Sequence, residues 1–356
     1  MTHSALTVPP SSATRLDCLA LGEVMLRLDP GEGRIRRTET FRVWEGGGEY
    51  NVIQALTQCF GHSTAILTSL VDNEVGQLIA GLIRRSGVST DWIQWRPHDG
   101  LGRDSRNGLY FLERGFGERG ALAVMDRANT AIAQLRAEDL DWAALFDRVR
   151  PRWFHVGGVM TGLSEHSPAL VDAVMRAARA SGAVVSYDLN YRASLWQQRG
   201  GKAAAEACNT NLLALADVVF GVESLPRPVD HLDEAVFTEA LADLQTRFPN
   251  IKLAASTMRV VRDASHNDWS GLCRMDGQVY AARHRPNLPI LDRVGGGDAF
   301  AAGLIHGLLD DQPLSQAIEY AAAHGALVMT TPGDNSSFSE ADVRAYADGG
   351  DAAVKR

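Results

Sequence analysis

Hydrophobic positions along the chain fall into two recurring patterns. Short apolar runs predict buried strands, and longer stretches with apolar residues three or four positions apart predict amphipathic helices. The predicted strands are 18–28, 64–70, 153–159, 183–188, 217–220 and 251–256. Helical spacing covers 51–60, 74–86, 169–180, 237–248, 299–309 and 314–329, and a further helix ends near 215. This alternation predicts an α/β fold in which a mostly parallel central sheet has helices on both faces.

Two segments, near 31–45 and 103–126, depart from this alternation. Both are rich in glycine and charge, and 38–43, 108–112 and 121–124 have strand-like sequences. We predict a small antiparallel sheet here, a β lid that would exclude water from a site below it. Ordinary surface hairpins would produce the same pattern.

A hairpin is predicted at 272–282, where Asp276 and Gly277 favour a tight turn. Ligands of parallel α/β folds bind beyond the carboxyl ends of the strands, and most of the candidate polar residues fall there.

Composition narrows the class of protein. The 356 residues suit one large domain, which we place at 16–346, with 1–15 and 347–356 as flexible tails. The net charge of -8 argues against nucleic acid or an anionic membrane as the main partner, but not against a small anionic substrate. Isolated cysteines, the absence of an apolar run of membrane-spanning length and the absence of a signal peptide predict a cytoplasmic protein.

The sequence Asp-Arg-Val-Gly-Gly-Gly-Asp at 292–298 carries the most chemical information. Gly295, Gly296 and Gly297 permit a tight turn at a helix start, where backbone N–H groups and the helix dipole favour an anion. Asp298 beside such a site is suited to removing a proton while negative charge develops nearby. Phosphoryl transfer from a nucleotide to a hydroxyl needs this combination. A glycine run alone would indicate only a turn.

Further candidate ligands lie where predicted strands and loops end. Gly47 and Asn51 open a helix and could hold hydroxyl groups, unless Asn51 is simply a helix cap. Arg127 and Arg192 would together suit a carboxylate or phosphate, although each alone would be an ordinary surface arginine. Asp334 follows the last core helix and belongs either to the site or to a turn.

Several familiar nucleotide-binding motifs are absent from the sequence. It has no GxxxxGK[ST] loop, and it lacks the HRD and DFG motifs of protein kinases. The first predicted strand is not followed by a dinucleotide fingerprint, which argues against a dehydrogenase.

In order and spacing, motifs along 21–346 resemble the ribokinase (PfkB) family of carbohydrate kinases, with GGGD where GAGD is commoner. Within that family, the chain is most similar to the 2-keto-3-deoxygluconate kinases. The segments that carry the resemblance are GGEYN at 47–51, GLYFLE at 108–113, MDRANTA at 125–131, DLNYR at 188–192, the 292–298 signature and AHGA at 323–326.

This resemblance implies a ribokinase-like fold, with ATP and Mg²⁺ as cofactors. It also implies phosphorylation of a 2-keto-3-deoxy sugar acid at its terminal hydroxyl. The first expectation is the conversion of 2-keto-3-deoxygluconate to 2-keto-3-deoxy-6-phosphogluconate.

Each matching position takes an implied role from the resemblance. Asp298 would be the general base, and the amides of Gly295, Gly296 and Gly297 would stabilise the transferring phosphoryl group. The nucleotide-binding set is Asn190, Thr257, Gly295 and Gly297. The substrate-binding set is Gly47 and Asn51 at the sugar hydroxyls, Tyr110, Arg127 and Arg192 at the keto-acid end, and Asp334.

Three features depart from the family's usual sequence. The Asn-x-x-Glu motif that helps to bind Mg²⁺ and phosphate is expected near 222–225, where only Glu223 is acidic, so the metal ligands stay unassigned. The adenine loop is expected at 256–270, where 262–269 reads as a long polar loop. Met125 replaces an aromatic residue that is common in the deoxygluconate kinases.

Other functions agree with the same sequence. One is phosphorylation of a different sugar, such as the galacto epimer, fructose, ribose or a nucleoside. The two arginines argue against neutral substrates and do not distinguish the epimers. Another is a sensor that binds a sugar acid without catalysis, which only the altered 222–225 segment favours. The open edges of the lid strands would also permit a homo-oligomer.

Overall fold

The computed structural model describes residues 6–227 and 229–350. Its strands are β1 (Leu16–Leu21), β2 (Met25–Asp29), β3 (Arg42–Gly46), β4 (Thr64–Asp72), β5 (Ile93–Pro97), β6 (Leu109–Glu113), β7 (Leu122–Asp126), β8 (Pro151–Gly157), β9 (Val184–Asp188), β10 (Val218–Phe220), β11 (Leu253–Val261), β12 (His266–Met275), β13 (Gln278–Ala281) and β14 (Arg285–Pro289). Its α-helices are α1 (Gly48–Gln58), α2 (Glu74–Arg85), α3 (Trp142–Val149), α4 (Gly158–Gly162), α5 (Ser167–Ala180), α6 (Ala193–Trp196), α7 (Gly201–Leu213), α8 (Glu234–Arg247), α9 (Gly296–Leu309), α10 (Leu314–Val328) and α11 (Glu340–Ala347).

The main sheet has the strand order β13-β12-β11-β10-β9-β8-β1-β4-β5, and β14 pairs with β12. Neighbouring strands from β5 to β11 are parallel, and β12, β13 and β14 add an antiparallel edge. The predicted α/β fold with a mostly parallel sheet is therefore confirmed. In the main sheet β1 lies between β4 and β8. Later strands are added first on the β4 side and then on the β8 side, and ligands of such folds bind at this kind of switch point.

The main sheet is covered by helices on both faces, as predicted. Alternate residues of β1 point to opposite sides, so Cys18 and Ala20 join one hydrophobic core while Leu19 and Leu21 join the other. Helices α1, α2, α9 and α10 contribute to the first core, and α3, α5, α7 and α8 contribute to the second.

A second sheet of four strands, in the order β3-β2-β6-β7, forms what we call the lid sheet. Our prediction placed a small antiparallel sheet in these segments, but the pairing is mixed, because β2 runs parallel to β6. The strand near 38–43 begins only at Arg42. The single strand predicted at 18–28 is also wrong. It is divided at 22–24 into β1 and β2, which belong to different sheets.

Gly22 lies at that division and packs closely against α1. A Cβ atom there would lie 2.7 Å from the Cβ of Glu49, so the chain has no room for a side chain at this point. The apolar pattern continues through the break because both strands are buried.

The segment 262–269, predicted as a long loop, is a turn only over 262–265, and 266–269 already belong to β12. β11 and β12 pair antiparallel from Leu253 and Met275 to Val261 and Asn267. The turn between them contacts the tip of the lid sheet, where the Gly117 N–H donates to Ser265 Oγ at 2.8 Å. The hairpin predicted at 272–282 is confirmed as β12 and β13.

The two ends of the described chain contact the main body. Leu6 and Val8 pack against the first core, although 1–15 was predicted to be a flexible tail. The Pro9 carbonyl also accepts a hydrogen bond from Arg152 at 2.8 Å. Residues 1–5 and 351–356 lie outside the described residues. No helix in the described ranges has the length and apolar composition needed to cross a membrane.

Candidate active site

A cleft of about 860 Å³ opens at the carboxyl ends of the parallel strands, below the lid sheet. Glu23 after β1, Asp188 at the end of β9 and Glu223 after β10 line it from the main sheet, and Met125 lines it from the lid. The predicted site residues that line this cleft are Gly47, Asn51, Tyr110, Arg127, Asn190, Arg192, Thr257, Gly295, Gly297, Asp298 and Asp334.

Gly296 alone among the predicted site residues is not part of the cleft lining. A Cβ atom at this position would lie 2.9 Å from the Met329 side chain, so Gly296 serves the close packing of α9. Its backbone N–H nevertheless lies at the start of that helix.

The N-terminus of α9 forms an anion site in the cleft. The first intrahelical hydrogen bond runs from the Ala299 N–H to the Gly295 carbonyl at 2.8 Å, so the preceding N–H groups have no partner within the helix. Gly295 has φ +82°, and a Cβ there would lie 2.2 Å from the Asp334 carbonyl oxygen. Gly297 faces open space. The turn therefore needs Gly295, whereas Gly297 leaves room for a ligand.

Asp298 lies in the first turn of α9, beside these amides. Asn51 Nδ2 donates to Asp298 Oδ2 at 2.7 Å. Although the side chain is partly exposed to the cleft, burial among its neighbours raises the pKa of Asp298 to about 8. The Asn51 hydrogen bond lowers this pKa, and the charges of Asp188 and Asp334 raise it. A carboxyl group with such a pKa can both accept and release a proton near neutral pH.

Gly47 and Asn51 shape the wall beside Asp298. Asn51 Oδ1 accepts a hydrogen bond from the Gly47 N–H at 3.2 Å, so its amide is oriented by the chain that opens α1. A Cβ at Gly47 would lie 1.9 Å from the Glu23 carbonyl oxygen. Gly47 is thus required by backbone packing. Asn51 is not the N-cap of α1, which is Gly47, but its side chain bonds the chain that opens the helix and also the carboxylate of Asp298.

Arg27 connects the lid sheet to the cleft from a completely buried position. It forms ion pairs with Asp29 at 2.7 Å, with Asp334 at 2.6 Å and with Asp292. Burial acts to lower the pKa of Arg27, but the charges of Asp334 and Asp292 outweigh it and raise this pKa. The sequence shows Arg27 only as a charge inside an apolar strand, and we did not predict this network.

Tyr110 and Asp334 belong to the same network. The Tyr110 hydroxyl donates to Asp334 Oδ2, and Arg27 donates to Asp334 Oδ1 at 2.6 Å. Burial, followed by the charge of Asp334, raises the pKa of Tyr110 well above its usual value. Both side chains are therefore held rigidly at the cleft wall, and the Tyr110 proton is already committed to Asp334.

Arg127 does not present an unpaired charge to the cleft. Its guanidinium lies 2.6 Å from Oε2 of Glu23, which is itself buried. The other Glu23 oxygen accepts a hydrogen bond from the Thr130 hydroxyl at 2.6 Å. This pairing neutralises Arg127 and fixes its orientation, and the sequence contains no local signal for it, because Glu23 lies about 100 residues away.

Arg192, Arg259 and Arg293 line the cleft on the side toward β11. Among the described residues, no hydrogen bond or ion pair to a carboxylate is found for any of the three. Burial, and then the charges of Arg293 and Arg192, lower the pKa of Arg259, so the three groups lie near one another. Unpaired cations in a protein of net charge -8 indicate an anion-binding wall.

Only Arg192 of these three was predicted. Arg293 could have been predicted, because it lies inside the 292–298 signature, next to the predicted anion site. Arg259 belongs to the hairpin that was mistaken for a loop.

The remaining predicted nucleotide ligands also lie in this part of the cleft. Asn190 has φ +23°, and its N–H donates to Asp188 Oδ1 at 3.1 Å. A Cβ at Gly48 would lie 3.7 Å from the Asn190 amide nitrogen, so Asn190 reaches across to the start of α1. Thr257 lies on β11, two positions before Arg259.

Two carboxylates that line the cleft, those of Asp188 and Glu223, suit Mg²⁺. Burial raises the pKa of Asp188 to about 6, and its side chain lines the cleft. Glu223 Oε2 pairs with Arg247 at 2.5 Å, whereas its Oε1 is buried without a hydrogen-bond partner. Mg²⁺ prefers carboxylate oxygens and retained waters. Asp188 and Glu223 therefore fit this ion, despite the altered 222–225 segment.

The family assignment is decided by a match over almost the whole chain. Residues 15–341 match the model of the pfkB family carbohydrate kinases. The chain belongs to this family. It is a carbohydrate kinase with the ribokinase-like fold, as the motifs predicted.

Individual members of the family narrow the comparison. The chain is 29% identical to the 2-dehydro-3-deoxygalactonokinase of Haloferax volcanii, over 96% of this chain and 99% of that protein. The crystal structure of the 2-dehydro-3-deoxygluconokinase from Thermotoga maritima matches with a TM-score of 0.83 and 32% identity, covering 94% of this chain and 100% of that one. This kinase is thus similar to the 2-dehydro-3-deoxygluconokinases.

A more distant structure shares the fold. A sugar kinase from Pyrococcus horikoshii in complex with ATP matches with a TM-score of 0.69 and 18% identity, over 92% of this chain and 99% of that one.

The Arg27 network yields a prediction about stability. Replacement by methionine keeps the side-chain length but leaves three carboxylates without their shared cation. Since breaking a buried ion pair from one side costs about 3–5 kcal/mol, Arg27→Met should lower the free energy of unfolding by that amount at pH 7. Denaturant unfolding measures it, with exposed Arg36→Met as the matched control.

The pH dependence of this loss separates charge from packing. Burial raises the pKa of Asp292 and Arg27 lowers it, so in Arg27→Met this carboxylate should take up a proton as the pH falls, and the gap to wild type should narrow between pH 7 and pH 5. A gap no larger than that of Arg36→Met, or one that does not change with pH, would contradict the network.

Proposed function

We propose that this kinase, acting through a single domain of residues 16–346, transfers the terminal phosphoryl group of ATP to a 2-keto-3-deoxy sugar acid. The proposed reaction converts 2-keto-3-deoxygluconate to 2-keto-3-deoxy-6-phosphogluconate. One observation carries the proposal: Asp298, with a pKa of about 8, lies in one cleft with the free N-terminal amides of α9 and a wall of unpaired arginines.

Asp298 is placed to act as the general base. Its carboxylate takes the proton from the terminal hydroxyl of the sugar acid as that oxygen forms its bond to phosphorus and the bond to the nucleotide breaks. The N–H groups at the start of α9, those of Gly296 and Gly297, stabilise the charge on the transferring group. Asn51 orients the carboxylate through its 2.7 Å hydrogen bond.

The keto-acid end is assigned to the side of the cleft that holds Tyr110, Arg127 and Arg192. Because Arg127 is paired with Glu23, Arg192 supplies the net positive charge for the carboxylate. Arg127 contributes hydrogen bonds from a fixed position. Asp334, which accepts the hydrogen bond of Tyr110, completes the sugar subsite together with Gly47 and Asn51.

The nucleotide is assigned to the wall formed by Asn190, Thr257, Arg259 and Arg293, beside Gly295 and Gly297. Arg259 and Arg293 are suited to the phosphates, since guanidinium groups donate paired hydrogen bonds. Asp188 and Glu223 would hold Mg²⁺, which when bound neutralises charge on phosphate oxygens.

The galacto epimer is a second candidate substrate. The Haloferax volcanii relative that aligns along almost the whole chain is named for the galactonate compound. The two acids differ in the orientation of one hydroxyl and share the carboxylate, so the arginine wall fits both. A non-catalytic sensor is disfavoured, because such a protein would not need Asp298 beside the anion site.

A homo-oligomer through the lid sheet is the proposed assembly. Leu122, Val124 and Met125 on β7 are each more than two-fifths exposed, at the edge of the lid sheet. A second copy that pairs with this edge would cover them.

The raised pKa of Asp298 predicts a pH profile. The general base must be ionised, so kcat/KM for 2-keto-3-deoxygluconate should rise about tenfold per pH unit below pH 8 and level off above it. Removing the Asn51 donor removes a contact that lowers this pKa. Asn51→Leu should therefore move the midpoint to higher pH.

Asp298→Asn is the control for that profile. It should reduce turnover by about 10²–10⁴-fold and leave the residual rate without this pH dependence. A carboxyl group whose pKa folding raises to about 8 lowers native-state stability at neutral pH, where it would be ionised in the unfolded chain, so the variant's melting temperature should equal or exceed that of wild type. Near-normal turnover in a folded Asp298→Asn protein would remove Asp298 as the base.

The unpaired arginines of the anion-binding wall, Arg192, Arg259 and Arg293, predict separate effects on the binding of ATP and of the sugar acid. Arg259→Ala should raise KM for ATP about tenfold or more, with little change in KM for the sugar acid, because it removes charge-assisted hydrogen bonds. Arg192→Ala should instead raise KM for the sugar acid, with little change in KM for ATP. Arg262→Ala is the matched control, since Arg262 belongs to the same hairpin but pairs with Asp268 at 2.6 Å. Equal effects on both constants would contradict the division.

A further inference from the structure

A cluster of possible metal ligands lies at the far end of α9 from the anion site. His306 is ten residues beyond Gly296, which corresponds to about 15 Å along a helix, and Asp310 caps the C-terminus of α9. His62 comes from the turn between α1 and β4, and its side chain faces His306 and Asp310. The cluster is therefore separate from the cleft and takes no part in the proposed reaction.

The three side chains are spaced as a metal site requires, since one ligand atom from each lies within 4.8 Å of the others. His62 Nε2 lies 2.9 Å from His306 Nδ1 and 3.9 Å from Asp310 Oδ1, and His306 Nδ1 lies 3.7 Å from Asp310 Oδ2. Ligands about 2.0–2.1 Å from a tetrahedral ion are about 3.3 Å apart. The observed distances bracket that value, so small side-chain adjustments would admit an ion at the centre.

The outer nitrogens of both histidines face carboxylates. His62 Nδ1 lies 3.9 Å from Asp17 Oδ2, and His306 Nε2 lies 3.6 Å from Glu340 Oε1. His306 is fully buried, and its Nε2 has no hydrogen-bond partner. Histidines that bind metals typically direct the other ring nitrogen to a carboxylate, which orients the ring and increases its basicity. Asp17 also pairs with Arg152 at 3.0 Å and Glu340 with Arg344, so each carboxylate faces its imidazole from a fixed position.

We propose that His62, His306 and Asp310 bind a zinc-type divalent ion, with Asp17 and Glu340 orienting the two imidazoles. Two nitrogen ligands and one carboxylate favour Zn²⁺ over Mg²⁺ or Ca²⁺, which prefer oxygen ligands only. Asp310 is 39% exposed, so the ion has a route from solvent and a fourth position for water. Because Asp17 lies at the start of β1 and Glu340 begins α11, the ion would join four parts of the fold at the base of α9.

Metal titration of the full chain tests this site. The chelator-treated protein is titrated with Co²⁺, in the presence of excess Mg²⁺ to occupy sites made only of oxygen ligands. We expect one Co²⁺ per chain with the visible absorption of a tetrahedral nitrogen–oxygen site, displaced by Zn²⁺. His62→Gln and Asp310→Asn should each weaken binding tenfold or more. Asp311→Asn, at the neighbouring exposed acid, and His231→Gln, at an exposed histidine, should bind as wild type does.

Zn²⁺ should also raise the melting temperature of wild type but not of Asp310→Asn, whose exposed side chain can be changed without disturbing the core. Absence of stoichiometric Co²⁺ binding to wild type would overturn the proposal. Wild-type affinity in either ligand variant would overturn it as well.

Discussion

The buried guanidinium of Arg27 is the interaction on which the shape of the cleft depends. It comes from the lid sheet and pairs with Asp29, with Asp292 just before the anion site and with Asp334. Three acids so close together would repel one another without a shared cation, and their desolvation is tolerable only because the cation is central. The lid, the glycine turn and the substrate wall are therefore held in one arrangement, which preorganises the site before any ligand binds.

The pairing of charges also distinguishes the proposed sugar side of the cleft from the proposed nucleotide side. On the proposed sugar side, Arg127 is already paired with Glu23, so it positions the substrate without adding net charge, and the net positive charge there comes from Arg192. On the nucleotide side, Arg259 and Arg293 have no acidic partner among the described residues, which leaves their charge available to phosphates. Asp298 lines the same cleft, where burial raises its pKa to about 8 and suits it to moving a proton.

Local signals in the sequence were sufficient for the fold class and for the anion site, because strand and helix periodicity and the glycine run are properties of neighbouring residues. Contacts between distant residues were not predictable in this way. Arg27 appeared as a charge in a strand, and its partner Asp334 lies about 300 positions away. The break at Gly22 was missed because apolar residues continue on both sides of it. Arg259 was missed because a long polar hairpin resembles a loop.

The most direct measurement is ADP release with Mg-ATP and a panel of acceptors: 2-keto-3-deoxygluconate, its galacto epimer, fructose, ribose and adenosine. The arginine wall and the paired keto-acid subsite predict turnover with the two keto-acids and little with the neutral acceptors, and the ratio of the epimers identifies the preferred substrate. Comparable kcat/KM for fructose, ribose or adenosine, or no turnover with either keto-acid, would contradict the assignment of this kinase to 2-keto-3-deoxy sugar acids.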